Sequence, residues 1–187
     1  MKKILFISLC ALFFAQVQAQ DIPAKLRAMH PADEKIECGF SETRVMPKVN
    51  KTEKHEGTLV YQAPDYLRMD YTDPAGDYIL ITEEKMEQCK KGKVQSVKVK
   101  GRDNRYTTYR ATLLSCLAGD IDKAAQLNDA KAECKQENKK YICTVTAEKA
   151  TGKDIKQVRL EYEVTTGKVL TITLTEGNGN YATYTVR

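Results

Sequence analysis

The chain has 187 residues, of which 42% are hydrophobic and 29% are charged, and its formal net charge is +5. This length suits one globular domain with a sizeable core. The small basic excess lies far below that of a dedicated nucleic-acid binder, so we predict that the protein has no nucleic-acid partner.

The first nineteen residues have the pattern of a secretory signal peptide. Lys2 and Lys3 precede an apolar run over residues 4–14, and Ala19 lies at the usual cleavage spacing. The run is roughly half of the about 20 residues that a membrane-spanning helix needs. We therefore predict cleavage after residue 19, export to the periplasm, and a soluble single domain over residues 20–187. Five of the six cysteines remain, so at least one thiol stays free or pairs between chains.

The first part of the mature chain predicts a short helix and then an antiparallel meander. Residues 22–29 carry apolar side chains at the spacing of one helical face. From Ile36 onward apolar and polar residues alternate, which is typical of half-buried strands. Proline and glycine residues between the alternating segments favour turns. Further strands are predicted over residues 55–63, 66–72 and 78–82, and a hairpin over residues 86–100 that turns at residues 90–93.

The alternation breaks between residues 104 and 117, where the apolar spacing predicts an amphipathic helix. Gly119 is placed to end this helix, and Asp120 to cap a second short helix that reaches Leu127. Residues 131–187 then return to repeated hairpins. The predicted fold is mainly β with a few helices: a strongly curved antiparallel sheet, an unclosed β-barrel, covered by an α-helical lid.

Four segments carry recognisable motifs. In Ile36–Glu42 an aromatic residue precedes a polar pair, and Gly57–Pro64 follows a G-x-L-x-aromatic-x-x-P pattern that leads into the Leu-Arg strand of Leu67–Tyr71. Leu113–Asp120 and the turn Gly177–Asn180 follow later in the chain. These segments resemble the first strand, the following two strands, the lid helix and a late turn of the LolA-like family of periplasmic carriers of outer-membrane lipoproteins. The resemblance covers most of the mature chain.

The resemblance implies a carrier that binds the acyl chains of lipoproteins, or other lipids, in an apolar cavity. Such a carrier takes its cargo from an inner-membrane release complex and passes it to an outer-membrane acceptor. The alternative is a lipid-sensing or lipoprotein-sensing interaction module of the same fold without transport activity. We expect a monomer that needs no cofactor.

Strand alternation and the predicted helix supply candidate ligand-binding residues. On this interpretation the cavity floor consists of Leu59, Tyr61, Leu67, Met69 and Tyr71, and the lid contributes Tyr106, Tyr109, Leu113 and Leu117. The alternative is that the same side chains fill a solid core and leave no space for a ligand.

Two positions depart from the family pattern and bear on how the lid is held. Ala63 stands where carriers have an arginine that holds the lid shut, and Met69 stands where an aromatic is common. Arg110 falls within the apolar arc of the lid helix. It either locks the lid to barrel carbonyls in place of the missing arginine or extends its charge to water.

The cysteines and the lysine-rich stretch each allow two interpretations. Cys134 and Cys143 flank a turn and form either a cross-hairpin disulfide or a pair of free thiols. The lysines between Lys85 and Arg102 either dock an anionic surface or solvate an edge strand.

The sequence offers no assembled catalytic or metal site. Only His30 and His55 are available as histidines, and common hydrolase, metal and phosphate-loop motifs are missing. A thiol hydrolase that uses a free cysteine with one of these histidines has no supporting local sequence. We therefore predict that the protein is not an enzyme and binds no metal.

Overall fold

The computed structural model describes residues 22–98 and 105–187, which form three helices and eleven strands. The predicted signal peptide lies outside the described residues. The helices are α1 (22–29), α2 (Arg105–Leu117) and α3 (Ile121–Leu127). The strands are β1 (Lys35–Met46), β2 (Lys51–Gln62), β3 (Tyr66–Asp73), β4 (Ala75–Ile81), β5 (Lys85–Lys90), β6 (Lys93–Lys98), β7 (Ala130–Glu137), β8 (Lys140–Ala147), β9 (Ile155–Glu163), β10 (Val169–Glu176) and β11 (Tyr181–Val186).

All eleven strands belong to one antiparallel sheet in the order β6-β5-β4-β3-β2-β1-β11-β10-β9-β8-β7. Strands β1 to β6 form one meander, and strands β7 to β11 form a second. The two meanders join where β1 pairs with β11, for example at Phe40 and Val186. Because β6 and β7 do not pair with each other, the sheet curves without closing into a barrel.

The concave face of the sheet carries the hydrophobic core. Alternation is clearest on β8, where Tyr141, Cys143, Val145 and Ala147 are buried and the residues between them are not. A sheet of this size must curl or be covered to keep such a face from water. The buried cluster accordingly includes residues from both meanders and from all three helices.

Helix α2 supplies most of the cover. Leu113, Leu114 and Leu117 are at most 6% exposed and belong to the same buried cluster as the sheet. Gly119 ends the helix with a φ of +65°, a left-handed conformation that glycine adopts at little cost. The Asp120 side chain accepts a hydrogen bond from the Lys123 amide and so caps α3.

The structure confirms the predicted fold class: a mainly β chain with a curved, unclosed antiparallel sheet and few helices. The predicted helix end at Gly119 and the cap at Asp120 are also confirmed. Two strand starts were wrong, since β2 begins at Lys51 rather than at His55 and β4 begins at Ala75 rather than at Tyr78. Strand β6 is exposed along most of its length, which agrees with the interpretation of its lysines as those of a solvated edge strand.

Two buried tyrosines provide a matched test of this core. The Tyr162 hydroxyl donates to the Cys116 carbonyl at 2.7 Å, whereas the Tyr61 hydroxyl is buried without a partner among the described residues. We expect Tyr162→Phe to lower the free energy of unfolding by about 1 kcal/mol and Tyr61→Phe to raise it by a similar amount. Urea denaturation of both variants measures this. Equal losses in the two variants would contradict the prediction.

Candidate functional site

A cavity of about 590 Å³ lies between the concave face of the sheet and the helices that cover it. One side of its wall consists of Ile79 and Met86 on β4 and β5, and the opposite side of Ala147 and Ile155 on β8 and β9. Tyr109 on α2 also contributes to the wall. Volumes of about 300–1,000 Å³ are typical of small-molecule sites.

Polar residues complete the lining of the cavity. Exposed side chains mark its mouth near the end of α3 and the β8–β9 turn, where Leu127, Lys149 and Lys153 lie. Deeper in the wall, Arg44 extends from β1, the middle strand of the sheet. The cavity therefore combines apolar flanks with a cationic group at its centre.

Arg44 belongs to a buried polar cluster on the concave face. Its Nη2 and Nε atoms donate to Glu42 Oε1 at 2.8 and 3.1 Å. The other carboxylate oxygen of Glu42 accepts from the Tyr71 hydroxyl at 2.7 Å. The Glu42 side chain is only 1% exposed, so these bonds replace its lost contacts with water.

The tyrosines around this cluster are held in their neutral form. Burial, together with the neighbouring Glu42 carboxylate, raises the pKa of Tyr71 far above its usual range. Burial likewise raises the pKa of Tyr109 and of Tyr184, which interact with each other. Burial alone would lower the pKa of Arg44, but the Glu42 carboxylate beside it favours the charged form, and the net pKa of the guanidinium lies above its usual value. The cluster thus presents a permanent cation and neutral hydroxyls to the cavity.

The end of α2 nearest Gly119 is fixed to the rest of the protein. The Tyr162 hydroxyl holds the Cys116 carbonyl, and Arg27 on α1 pairs with Asp120 at 3.0 Å. His30 fills the space beside Gly119, where an added Cβ would lie 2.5 Å from its ring. This packing makes the C-terminal end of α2 the anchored end.

Among the described side chains of α2, Arg110 is the charged one that attaches the middle of the helix. Arg110 Nε donates to the Thr82 carbonyl at 2.8 Å, and its Nη2 lies 3.4 Å from Asp65 Oδ1. Thr82 directly follows β4, and Asp65 lies between β2 and β3. Arg110 is only 9% exposed, so its charge lies in the contact between helix and sheet rather than in water.

The predicted floor residues lie in the packed core. Leu59, Tyr61, Leu67 and Met69 are at most 4% exposed and line no part of the 590 Å³ cavity. Tyr71 is partly buried and donates to Glu42. Ligand contact by this floor stays a prediction, and it requires α2 to lift.

The predicted lid residues divide in the same way. Tyr109 lines the cavity, whereas Leu113 and Leu117 belong to the buried cluster. The side chain of Tyr106 lies outside the described residues. Cys134 and Cys143 lie opposite each other on β7 and β8, with Cα atoms 4.2 Å apart and their sulfurs joined as a disulfide.

Sequence reasoning missed Glu42 and Arg44, although a signal for both was present. Every second side chain of a strand lies on the same face of the sheet. Since Ile36, Cys38 and Phe40 lie on the concave face, residues 42 and 44 lie there too. A glutamate and an arginine on an otherwise apolar face are unusual, and that anomaly marks the centre of the cavity wall.

No group of three or more histidine, cysteine, aspartate or glutamate side chains in residues 22–98 and 105–187 could hold a metal ion. No helix within these ranges is long and apolar enough to cross a membrane.

One protein family and several solved structures are similar to this chain. The family described as "Outer membrane lipoprotein carrier protein LolA" matches residues 34–187. A LolA superfamily protein from Nitrosomonas europaea is 9% identical, with a TM-score of 0.42, over 90% of this chain and 91% of that chain. A putative outer membrane lipoprotein-sorting protein domain from Vibrio parahaemolyticus is 6% identical, with a TM-score of 0.44, over 90% of each chain.

A third similar structure is the complex of MucA and MucB from Pseudomonas aeruginosa. The matched chain is 13% identical, with a TM-score of 0.43, over 90% of this chain and 55% of that chain. No curated protein matches this chain.

The buried thiol of Cys116 predicts a loss of stability in alkaline solution. Burial raises its pKa to about 12, whereas a thiol in the unfolded chain titrates near about 8.5. Above that lower value the unfolded state loses a proton that the folded state keeps, so the free energy of unfolding falls as pH rises. Urea denaturation between pH 7 and pH 11 should show a shallower decline for Cys116→Ala. An unchanged slope would contradict this account.

Proposed function

This chain belongs to the family of outer membrane lipoprotein carrier proteins called LolA, and from that membership and the covered cavity we propose that it is a periplasmic carrier of acyl chains. In this proposal it takes lipoprotein acyl chains, or related lipids, from a release complex at the inner membrane. It then hands them to an acceptor at the outer membrane. The observation that carries the proposal is the cavity beneath a helix that one buried arginine attaches to the sheet.

The proposal addresses a large free-energy barrier. Moving a chain of about 14 methylenes into water costs on the order of 11 kcal/mol, at about 0.8 kcal/mol per methylene. A carrier removes this barrier if it offers an apolar surface that is covered when empty and exposed when needed. Ile79, Met86 and Ile155 supply apolar surface in the cavity wall, and α2 supplies the cover.

In the proposed cycle α2 opens around its anchored end. Tyr162, Arg27 and His30 hold the region near Gly119, so release at Arg110 would lift the helix without detaching it. Lifting α2 would uncover the packed floor and enlarge the space for a chain. When the cargo leaves, α2 closes again and buries the apolar side chains of the floor. This burial is favourable and therefore favours transfer of the cargo to the acceptor.

The carrier proposal predicts that filling the cavity blocks acyl binding. Ala147 faces the cavity, and Thr146, its neighbour on β8, faces the other side of the sheet. We expect the wild-type protein and Thr146→Phe to bind a fluorescent lipopeptide with an acylated N-terminal cysteine, and Ala147→Phe to bind it at least tenfold more weakly. Fluorescence titration measures this, and circular dichroism checks that both variants fold.

Failure of the wild-type protein to take up the lipopeptide, together with native mass spectra free of lipid, would defeat the carrier proposal. Binding of a protein segment without lipid would instead support an interaction module.

The attachment of α2 through Arg110 makes a separate prediction. Arg110→Met keeps the volume of the side chain but removes a charged hydrogen bond, which is worth about 1.5–3 kcal/mol. Because each 1.4 kcal/mol changes an equilibrium about tenfold, amide hydrogen exchange in α2 should become at least tenfold faster. Arg68→Met is the matched control, since Arg68 forms a solvent-exposed pair with Asp70 at 2.7 Å. Equal protection of α2 in both variants would contradict a lock at Arg110.

A further inference from the structure

The Glu42–Arg44 ion pair has a free-energy cost that a surface binding only hydrocarbon has no need to bear. A buried ion pair loses hydration that its mutual attraction repays only partly, and well-packed apolar side chains often serve stability as well. The side chain of Glu42 is 1% exposed, and that of Arg44 is 33% exposed. Both side chains lie on the concave face of the sheet. A pair whose arginine lines the cavity therefore points to recognition of a polar group.

The hydrogen bonds of the pair leave the guanidinium available to a ligand. Both bonds from Arg44 end on Oε1 of Glu42, and Tyr71 satisfies Oε2. Nη1 of Arg44 donates no hydrogen bond to any residue that the structure describes. Since Arg44 lines the cavity, these donors are suited to an anionic oxygen, for which the guanidinium fork is well shaped.

Other charges near the cavity lie closer to its mouth. Lys149, Lys153, Asp129 and Asp154 are exposed there and face water. Glu176 also lines the cavity, but its carboxylate already accepts hydrogen bonds from the side chains of Asn178 and Asn180. The two lysines balance the two aspartates, and Glu176 adds one negative charge that the two asparagines stabilise, so Arg44 is the cation of the wall that lies away from the mouth.

The volume limits how much hydrocarbon accompanies the polar group. If a methylene occupies roughly the 30 Å³ of a water molecule in the liquid, then 590 Å³ holds on the order of 20 such groups. This accommodates one long acyl chain with a small head group rather than several chains.

We propose that the closed cavity selects a single-chain amphiphile with an anionic head, a carboxylate or a phosphate, which binds the free face of Arg44. This inference rests on the proposed function, because it assumes that the cavity holds an acyl chain. The chain lies along Ile79, Met86 and Ile155, and Tyr109 closes over the head.

The test compares three amphiphiles of equal chain length: palmitate, palmitoyl lysophosphatidic acid and uncharged monopalmitoylglycerol. Each displaces a fluorescent fatty-acid probe from the full chain at concentrations below micelle formation. We expect at least one of the two anions to bind tenfold or more tightly than the uncharged lipid. If carboxylate and phosphate differ, the tighter one identifies the head group.

Variants of the pair should shift this preference in opposite directions. Glu42→Gln removes the competing carboxylate and should increase the preference for the anion several-fold. Arg44→Met should abolish the preference, but it leaves Glu42 buried without its partner. The double variant Glu42→Gln/Arg44→Met therefore replaces the pair by neutral side chains and should bind all three lipids alike. Lys153→Met, at the mouth, is the control and should change the preference less than threefold.

The outcomes separate the two proposals. Equal binding of all three lipids by the wild-type protein, or an anion preference that survives in the double variant, would overturn the role of Arg44 while leaving acyl binding intact. No binding of any of the three would overturn this inference, and if the lipopeptide also failed to bind, the proposed function would fall with it.

Discussion

The need to cover one apolar face governs the rest of this structure. Eleven antiparallel strands that do not close leave a concave surface whose side chains would otherwise meet water. The sheet curls, and α2 and α3 cover it, because burial of that surface is the main favourable contribution to folding. The cover consists of helices that follow the sheet's first meander and precede its second, so it is joined to both halves.

The cover is fixed unevenly, and this follows from where polar groups are satisfied. Near Gly119 the chain turns sharply, and the Cys116 carbonyl, Asp120 and the ring of His30 all have buried or bridging partners. Along the middle of α2 the polar attachments among the described residues include Arg110, which donates to the Thr82 carbonyl, and Tyr109, which is hydrogen-bonded to Tyr184 on β11. Packing of the leucines stabilises the closed state, and the charged hydrogen bond of Arg110 adds about 1.5–3 kcal/mol to it.

Local patterns were sufficient to predict the fold but not the position of the cavity. Alternation at Ile36, Cys38 and Phe40 and the Gly119-Asp120 pair predicted strands, a helix end and a cap, because each depends on neighbours in sequence. The empty space depends instead on how well α2 fills the concave face. Leu113 and Leu117 belong to the same buried cluster as Leu59 and Met69, and the cavity lies near the β8–β9 turn. The position of the cavity depends on the volumes of side chains that are distant in sequence. The spacing of apolar residues along the chain does not predict those volumes. Arg44 was missed because the search for the floor considered only apolar residues.

A lid that packs so completely on the floor also sets the affinity for cargo. The apparent dissociation constant of a ligand that requires the open state is its intrinsic value divided by the fraction of molecules that are open. Each 1.4 kcal/mol by which the closed state is favoured therefore weakens the apparent affinity about tenfold. For a carrier that weakening is useful, because release to an acceptor must be favourable overall. In the proposed cycle the two polar features act on different quantities: Arg110 would adjust how often the floor is uncovered, and Arg44 would adjust which head group is retained once α2 closes. On this proposal cargo choice and cargo release can change independently, because they depend on side chains of different elements that share no hydrogen bond.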